Sequence, residues 1–183
     1  MLEKQKAKII RIKCKHKSIN LSELIIQNTY FCHLKKYTYH QIKMGSKRTF
    51  TMIKPDAVAA GNAGAIIKII EDHGFVVNAM KLTQLTPVQA CQFYRIHKDR
   101  PFYNDLVKYI SGGPIIPMVL EKENAVEDFR RLIGSTNPAE AAEGTIRKLF
   151  ATSISANAIH GSDSDENALV EGDFFFSNLE KMK

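Results

Sequence analysis

The segment Asn157-Ala158-Ile159-His160-Gly161-Ser162-Asp163 sets an imidazole beside a glycine, directly ahead of a helix-start pattern. A glycine next to the ring leaves room for a bulky anion to approach. A helix N-terminus offers free N–H groups and the positive end of a dipole. Neutral imidazole keeps one nitrogen lone pair, which makes histidine a nucleophile available near pH 7. Taken alone, a histidine in such a segment is more often structural than catalytic. Its company changes the balance. Lys54 ends an extended run in Ile53-Lys54-Pro55-Asp56, and Arg130 lies in a helical pattern. Thr136 sits in Gly134-Ser135-Thr136-Asn137-Pro138, and Arg147 in Gly144-Thr145-Ile146-Arg147. Three cations and a hydroxyl could neutralise a polyphosphate if the fold brings them together. If it does not, each is an ordinary surface group. The sequence has no Walker-type loop, no G-x-G-x-x-G after a strand, no G-x-S-x-G and no H-E-x-x-H, so the common phosphate cradles and hydrolase motifs are missing.

The elements that must position these residues are readable from residue 48 onward. Arg48–Ile53 alternates polar and apolar residues and reads as a strand. Residues 62–73 carry apolar positions at 63, 66, 67, 69 and 70, a helical stripe that Gly74 stops. Residues 75–85 read as a second strand. Thr86-Pro87-Val88-Gln89 supplies an N-cap, a proline at the first helical position and a capping box for a helix reaching Ile96 to Lys98. A short helix is expected over 104–110, a strand over 115–121 and a helix over 124–133. Asn137-Pro138 opens a short helical piece, 152–159 reads as a fourth strand, and a last helix is expected to start at Ser162 and include Glu171. This order suits an α+β sandwich of the ferredoxin-like kind, a four-stranded antiparallel sheet with helices packed on it.

Composition bounds the partners. The 183 residues carry a formal charge of +7 and a pI near 9.3, which on its face suggests nucleic acid. The charge is not evenly spread. Residues 1–43 hold ten Lys/Arg and two acids, and residues 44–183 hold sixteen and seventeen. Lys, Ile, Asn and Tyr make up 21 of the first 43 residues, all of them encodable by codons of A and T alone. We read residues 1–43 as a basic extension, disordered or an upstream stretch included in the reading frame with Met44 as the start. The rival reading is a genuine basic tail for nucleic acid or an anionic surface, and the mass of the native protein separates the two. Residues 44–183 then form one domain. Cys14, Cys32 and Cys91 are an odd set without C-x-x-C spacing, which fits neither a disulfide framework nor a zinc cluster and points to a cytoplasmic location. No apolar run approaches the ~20 residues of a membrane span, so no membrane partner is expected.

Five blocks together carry more information than any one of them. Thr51-Met52-Ile53-Lys54-Pro55-Asp56, Lys98-Asp99-Arg100-Pro101-Phe102, Gly134-Ser135-Thr136-Asn137-Pro138, Gly144-Thr145-Ile146-Arg147 and Asn157-Ala158-Ile159-His160-Gly161-Ser162-Asp163-Ser164 resemble, in order and spacing, the signature blocks of nucleoside diphosphate kinases. The resemblance covers about residues 47–180. It implies transfer of the γ-phosphate of a nucleoside triphosphate to a nucleoside diphosphate, by a ping-pong route through a phosphohistidine, with broad base specificity. It makes His160 the nucleophile, with Lys54 and Tyr94 near the transferred phosphate and Lys54 also reaching the ribose. Arg130, Thr136 and Arg147 would hold the phosphate chain, and Asn157 the sugar. Phe102 would stack on the base, bordered by Leu106 and Ile154, while Ser162 and Glu171 would orient the imidazole. Mg2+ would arrive bound to the nucleotide. The resemblance also implies a homo-oligomer, a tetramer or hexamer.

Glu171 sets a geometric condition. Nine residues of straight helix from Ser162 would span about 13 Å at ~1.5 Å per residue, too far for Glu171 to touch His160. The role requires residues 161–164 to run outward as a loop, so that a shorter helix returns Glu171 to the ring. Departures from the family pattern are Ala57 for a frequent Gly, Lys148-Leu149 after the arginine, and Gly172-Asp173 after Glu171, expected to loosen the end of the last helix. The chain also stops soon after Phe174-Phe175-Phe176, without the longer tails of some relatives. A ferredoxin-like RNA-binding module is the main competitor. It is disfavoured because the strands lack aromatic RNP patterning and residues 44–183 are not basic. A degenerate scaffold is disfavoured because every mapped position holds the expected residue type.

Overall fold

The computed structural model describes residues 47–182, together with a two-residue antiparallel ladder of Lys13–Cys14 with Lys17–Ser18. The chain divides into two compact units, Met1–Met44 and Gly45–Lys183. Apart from that ladder, the stretch 1–43 read as an extension falls outside the described residues.

Within the second unit, β1 (Arg48–Ile53), β2 (Val76–Met80), β3 (Ile116–Glu121) and β4 (Ile159–Gly161) form one sheet in the order β2-β3-β1-β4. Every neighbouring pair is antiparallel. The helices are α1 (Pro55–Ala59), α2 (Ala63–Asp72), α3 (Pro87–Phe93), α4 (Tyr103–Ser111), α5 (Ala125–Ile133), α6 (Ile146–Phe150) and α7 (Asp165–Phe175). This is the expected ferredoxin-like α+β sandwich.

Strand alternation divides the core between the two sheet faces. Ile53, Met118 and Leu120 point toward α2 and α5, where Ile66, Ile70, Phe129 and Ile133 cover them. Phe50, Met52 and Val119 point the other way, toward Ala90, Tyr94, Ile110 and Phe175. Central β1 is buried along almost its whole length, Thr49 and Thr51 included, as expected of a strand covered on both faces. Pairing Met52 with His160 and Thr51 with Gly161 decides which face each side chain joins. His160 lies on the Phe50 face. Gly161 lies on the α5 face, where an added Cβ would sit 2.9 Å from Ile133 Cδ1 and 3.0 Å from Phe129 Cδ1. Glycine at 161 is therefore required by the close approach of α5.

Several expected elements shift. The capping box at Thr86 is present, with Gln89 N donating to Thr86 Oγ1 and Thr86 N to Gln89 Oε1. The helix behind it ends at Phe93, and a separate 3-10 turn covers Arg95–His97. The second strand stops at Met80, after which only an isolated Thr83–Ile115 bridge continues the pairing. Asn137-Pro138 makes a turn instead of a helix, because the Asn137 side chain accepts from Ala139 N and donates to Glu140; the helix lies at Ile146–Phe150. Residues 152–159 are not a strand. Thr152 N and Ser153 N both donate to Ala156 O, which folds the segment on itself and delays the strand to Ile159. Gly172 does not loosen α7, which runs on to Phe175; the residue is buried, and its missing Cβ would stand 3.5 Å from Val119.

Candidate active site

β4 presents His160 among aromatic rings. The imidazole lies 5.7 Å from Phe93 and 6.3 Å from Tyr94, edge to face, and 6.0 Å from Phe50. Thr51 Oγ1 donates to the His160 carbonyl at 2.6 Å, fixing the backbone beneath the ring. The chain then leaves the sheet: Ser162 N donates to Phe50 O, and Ser164 caps α7 by accepting from Asn167 N. The helix starts at Asp165, three residues later than the sequence pattern suggests.

That delay meets the condition on Glu171. Residues 162–164 stay outside the helix and bend at Asp163 and Ser164, so the chain has left the strand before the helix begins. Six helical steps from Asp165 carry it back by about 9 Å at ~1.5 Å each. Glu171 Oε2 ends 2.9 Å from His160 Nε2 and 2.5 Å from Ser162 Oγ. An ionised carboxylate only accepts, so Nε2 carries the ring proton and Nδ1 keeps the lone pair.

A cationic group adjoins. Lys54, which caps α1 and is 7% exposed, donates to Asn157 Oδ1 at 2.6 Å. Burial, and then the nearby Arg147, pull its pKa from the ordinary 10.5 to about 8, against an opposing effect of Asp56. Arg147 donates to the carbonyls of Gly134 at 2.8 Å and Ile159 at 3.1 Å. Burial, followed by neighbouring Arg130, lowers its pKa to about 10. Arg130 thus depresses Arg147 and Arg147 depresses Lys54, a run of cations that an anion would relieve. Among the described residues, the Tyr94 hydroxyl and Arg147 Nε are buried without a protein partner. Burial first, and then the charge of Glu171, push the Tyr94 hydroxyl well above the usual tyrosine range, so it remains a donor.

The other expected residues are grouped more loosely. Ile154 is 60% exposed, and its carbonyl accepts from Asn157 Nδ2 at 2.9 Å, tying that loop to Asn157. Phe102 is 52% exposed at the N-terminal end of α4, and half-buried Leu106 follows one turn later. His97 joins this end of the site to the other, its ring 5.9 Å from Phe102 and 6.2 Å from Tyr94. Arg130 and Thr136 are exposed, and among the described residues neither side chain hydrogen-bonds to another residue of the site. Thr136 belongs to the loop after Gly134, whose carbonyl Arg147 holds.

Some contributors have no role in the sequence reading. Phe50 and Phe93 wall the imidazole. Asp56 accepts from Tyr109 Oη at 2.6 Å through Oδ1 and from Ala158 N at 3.0 Å through Oδ2. Ala158 has a left-handed backbone with φ 65°, a conformation that costs an L-residue roughly 1–2 kcal/mol. A hydrogen bond to a charged group contributes ~1.5–3 kcal/mol, enough to hold it there. Asp56 stood inside a signature block, but nothing in its spacing linked it to residue 158.

Residues 47–181 match the family described as nucleoside diphosphate kinase. The nucleoside diphosphate kinase of Flavobacterium psychrophilum is 60% identical over 138 residues, covering 75% of this chain and 99% of that protein. The chain belongs to the nucleoside diphosphate kinase family. The corresponding protein of Prosthecochloris aestuarii is 58% identical over 137 residues, 75% of this chain and 97% of its own length. Among solved structures, the Aquifex aeolicus nucleoside diphosphate kinase superposes with a TM-score of 0.73 at 42% identity, covering 74% of this chain and 99% of that one. The Halobacterium salinarum enzyme in complex with CDP gives 0.72 at 36% identity, over 74% and 91%. As a member of this family the kinase moves the γ-phosphate of a nucleoside triphosphate to a nucleoside diphosphate through a phosphohistidine, with broad base specificity.

Among the described residues no three His, Cys, Asp or Glu side chains converge to hold a metal ion. Among the same residues no helix is long and apolar enough to cross a membrane.

Proposed function

We propose that His160 is the residue phosphorylated in this kinase and that Nδ1 is the attacking atom. The observation that carries this is the occupation of Nε2 by Glu171, which leaves the Nδ1 lone pair free. Nδ1 attacks the γ-phosphorus in line, the bond to the β-phosphate oxygen breaks, and the nucleoside diphosphate leaves with that electron pair. The ring, cationic once phosphorylated, keeps its proton on Nε2 against the Glu171 carboxylate. Ser162 fixes that carboxylate, donating to it through Oγ. The second nucleoside diphosphate takes the group back by the reverse path.

Lys54, Arg130, Arg147 and Thr136 hold the phosphate chain, with Tyr94 offering its unpartnered hydroxyl. Asn157, with Lys54, binds the sugar. Phe102 supplies a flat platform for the base, with Leu106 and Ile154 at its border, and a platform of this kind reads the face shared by all bases. Mg2+ would be supplied with the nucleotide and would offset part of its phosphate charge, beside the cations Lys54, Arg130 and Arg147. The kinase works as a homo-oligomer, a tetramer or hexamer, in the cytoplasm, where its odd cysteine set stays reduced.

Initial-rate kinetics test the two-step route. Varying ATP at several fixed GDP concentrations should give parallel double-reciprocal lines. Intersecting lines would mean a direct ternary transfer and would remove His160 as a covalent carrier.

A further inference from the structure

The turn Lys54-Pro55-Asp56 holds Ala158 on both sides. The Lys54 backbone N–H donates to the Ala158 carbonyl at 2.9 Å, and the Ala158 N–H donates to Asp56 Oδ2 at 3.0 Å. The second carboxylate oxygen accepts from the Tyr109 hydroxyl at 2.6 Å. Tyr109 lies on α4, the helix that follows Phe102. One carboxylate thus connects the helix of the base platform, the turn that carries Lys54, and the segment from Asn157 to His160. Both of its oxygens face donors, and a carboxylate can satisfy the two at once.

The residue it holds sits in a tight, strained turn, closed locally by the Ile159 N–H donating to the Asn157 carbonyl at 2.7 Å. Ala158 is fully buried and left-handed at φ 65°, a region that alanine seldom occupies. Its two peptide groups set the directions of its neighbours. On one side Asn157 turns its Oδ1 to Lys54 Nζ. On the other, Ile159 enters β4, so that His160 pairs with Met52 and faces the aromatic wall. Relaxation of Ala158 to a right-handed or extended backbone would rotate both peptide groups and separate Asn157 from His160.

We propose that Asp56, anchored by Tyr109, is a positioning residue that locks Ala158 in its left-handed backbone and so aims His160 and Asn157 at one nucleotide. The inference rests on His160 being the phosphoryl acceptor. Asp56 touches no reacting atom; it acts through the backbone of Ala158.

Single-turnover phosphorylation by γ-labelled ATP with Mg2+ tests it, on wild type, Asp56→Ala, Asp56→Asn, Ala158→Gly and the Asp56→Ala/Ala158→Gly double variant. Asp56→Ala should label about 10- to 100-fold more slowly, the scale of a small misplacement of reacting groups. Asp56→Asn keeps an oxygen for Ala158 N–H and should stay within about fivefold of wild type. The double variant should regain about tenfold over Asp56→Ala, because glycine takes a positive φ without a Cβ penalty. A residue that only held the fold together would lower the melting temperature without this rescue. An Asp56→Ala rate within about twofold of wild type, or a double variant no faster than Asp56→Ala, overturns the proposal. If Asp56→Ala does not fold, Tyr109→Phe replaces it, with about 3- to 10-fold slowing and the same rescue expected; an unchanged rate overturns the proposal equally. Wild type that takes no label, or His160→Ala that labels normally, removes the nucleophile assignment and this inference together. A labelled wild type with an unaffected Asp56→Ala removes this inference alone.

Discussion

Glu171 meets His160 at 2.9 Å although eleven positions separate them and the chain first runs away from the ring. The contact depends on where α7 begins. Ser164 caps it, and Asp165 and Glu166 place negative charge at its first turn, both of which favour a helix start there. A helix starting at Ser162 would carry Glu171 past the imidazole. The finding gives Glu171 a defined task, holding the proton on Nε2. Glu171→Ala should lower kcat by about 100-fold with a smaller change in nucleotide KM. Ser162→Ala, which loses the Oγ contacts with that carboxylate and with the Phe50 carbonyl, should cost about tenfold or less. Steady-state rates with ATP and GDP check both.

Lys54 should leave a signature in the pH profile. With its pKa lowered to about 8, the free enzyme loses this cation as pH rises through that value. kcat/KM, which reports the free enzyme, should therefore fall above pH 8. A bound phosphate favours the charged amine, so the corresponding limb of kcat should lie at higher pH. Lys54→Arg keeps its charge over the whole range and should lack the kcat/KM limb, whatever its absolute rate.

The same lysine should weaken the nucleotide-free protein. Its folded pKa lies below its ordinary 10.5, so below pH 8 the amine is charged in both states and the folded state bears the desolvation cost. Between about 8 and 10.5 the unfolded chain holds the proton longer, and stability rises with pH. Lys54→Met, inactive, should melt no lower than wild type at pH 7, with a gain of at most roughly 3 kcal/mol. That gain should shrink toward pH 10. Thermal melts of both proteins across this range provide the check, and a wild type that is more stable at pH 7 would contradict the expectation.

Much of this site was legible in the sequence because its chemistry is concentrated in short blocks. His160, Lys54, Asn157, Arg147, Ser162 and Glu171 do come together, and the Thr86 capping box formed as written. The signals that failed were local ones overruled by side-chain bonds. Asn137 closed a turn where its neighbour proline suggested a helix, and Ser153 and Ala156 closed another inside the stretch 152–159 that reads as a strand. The Asp56–Ala158 contact, 102 positions apart, has no periodicity or composition to announce it. A left-handed alanine is likewise invisible before the backbone is known.

Phe102 stands half in solvent at the mouth of the site. Its replacement by alanine should raise KM about fivefold or more, matching the ~1–3 kcal/mol of a base stacked on an aromatic ring. The rise should be similar for ATP, GTP and CTP, because the platform reads no base edge. A loss confined to one base would contradict the stacking role.

Gly161 should not tolerate a side chain. An added methyl would press on Ile133 and Phe129 at 2.9 to 3.1 Å, and overpacking of this kind costs ~1–3 kcal/mol. Gly161→Ala should lower the denaturation midpoint and slow phosphorylation as β4 is displaced. Gly64, with open space around it, serves as the control position for alanine.

The most direct test of His160 as phosphoryl carrier is transfer itself. The purified protein is incubated with γ-labelled ATP and Mg2+, separated from nucleotide, mapped by peptide mass, and then given unlabelled GDP. One acid-labile phosphoryl group is expected on the peptide containing His160, chased completely into GTP and absent from His160→Ala. Label on another residue, or GTP formed at an undiminished rate by His160→Ala, would contradict it.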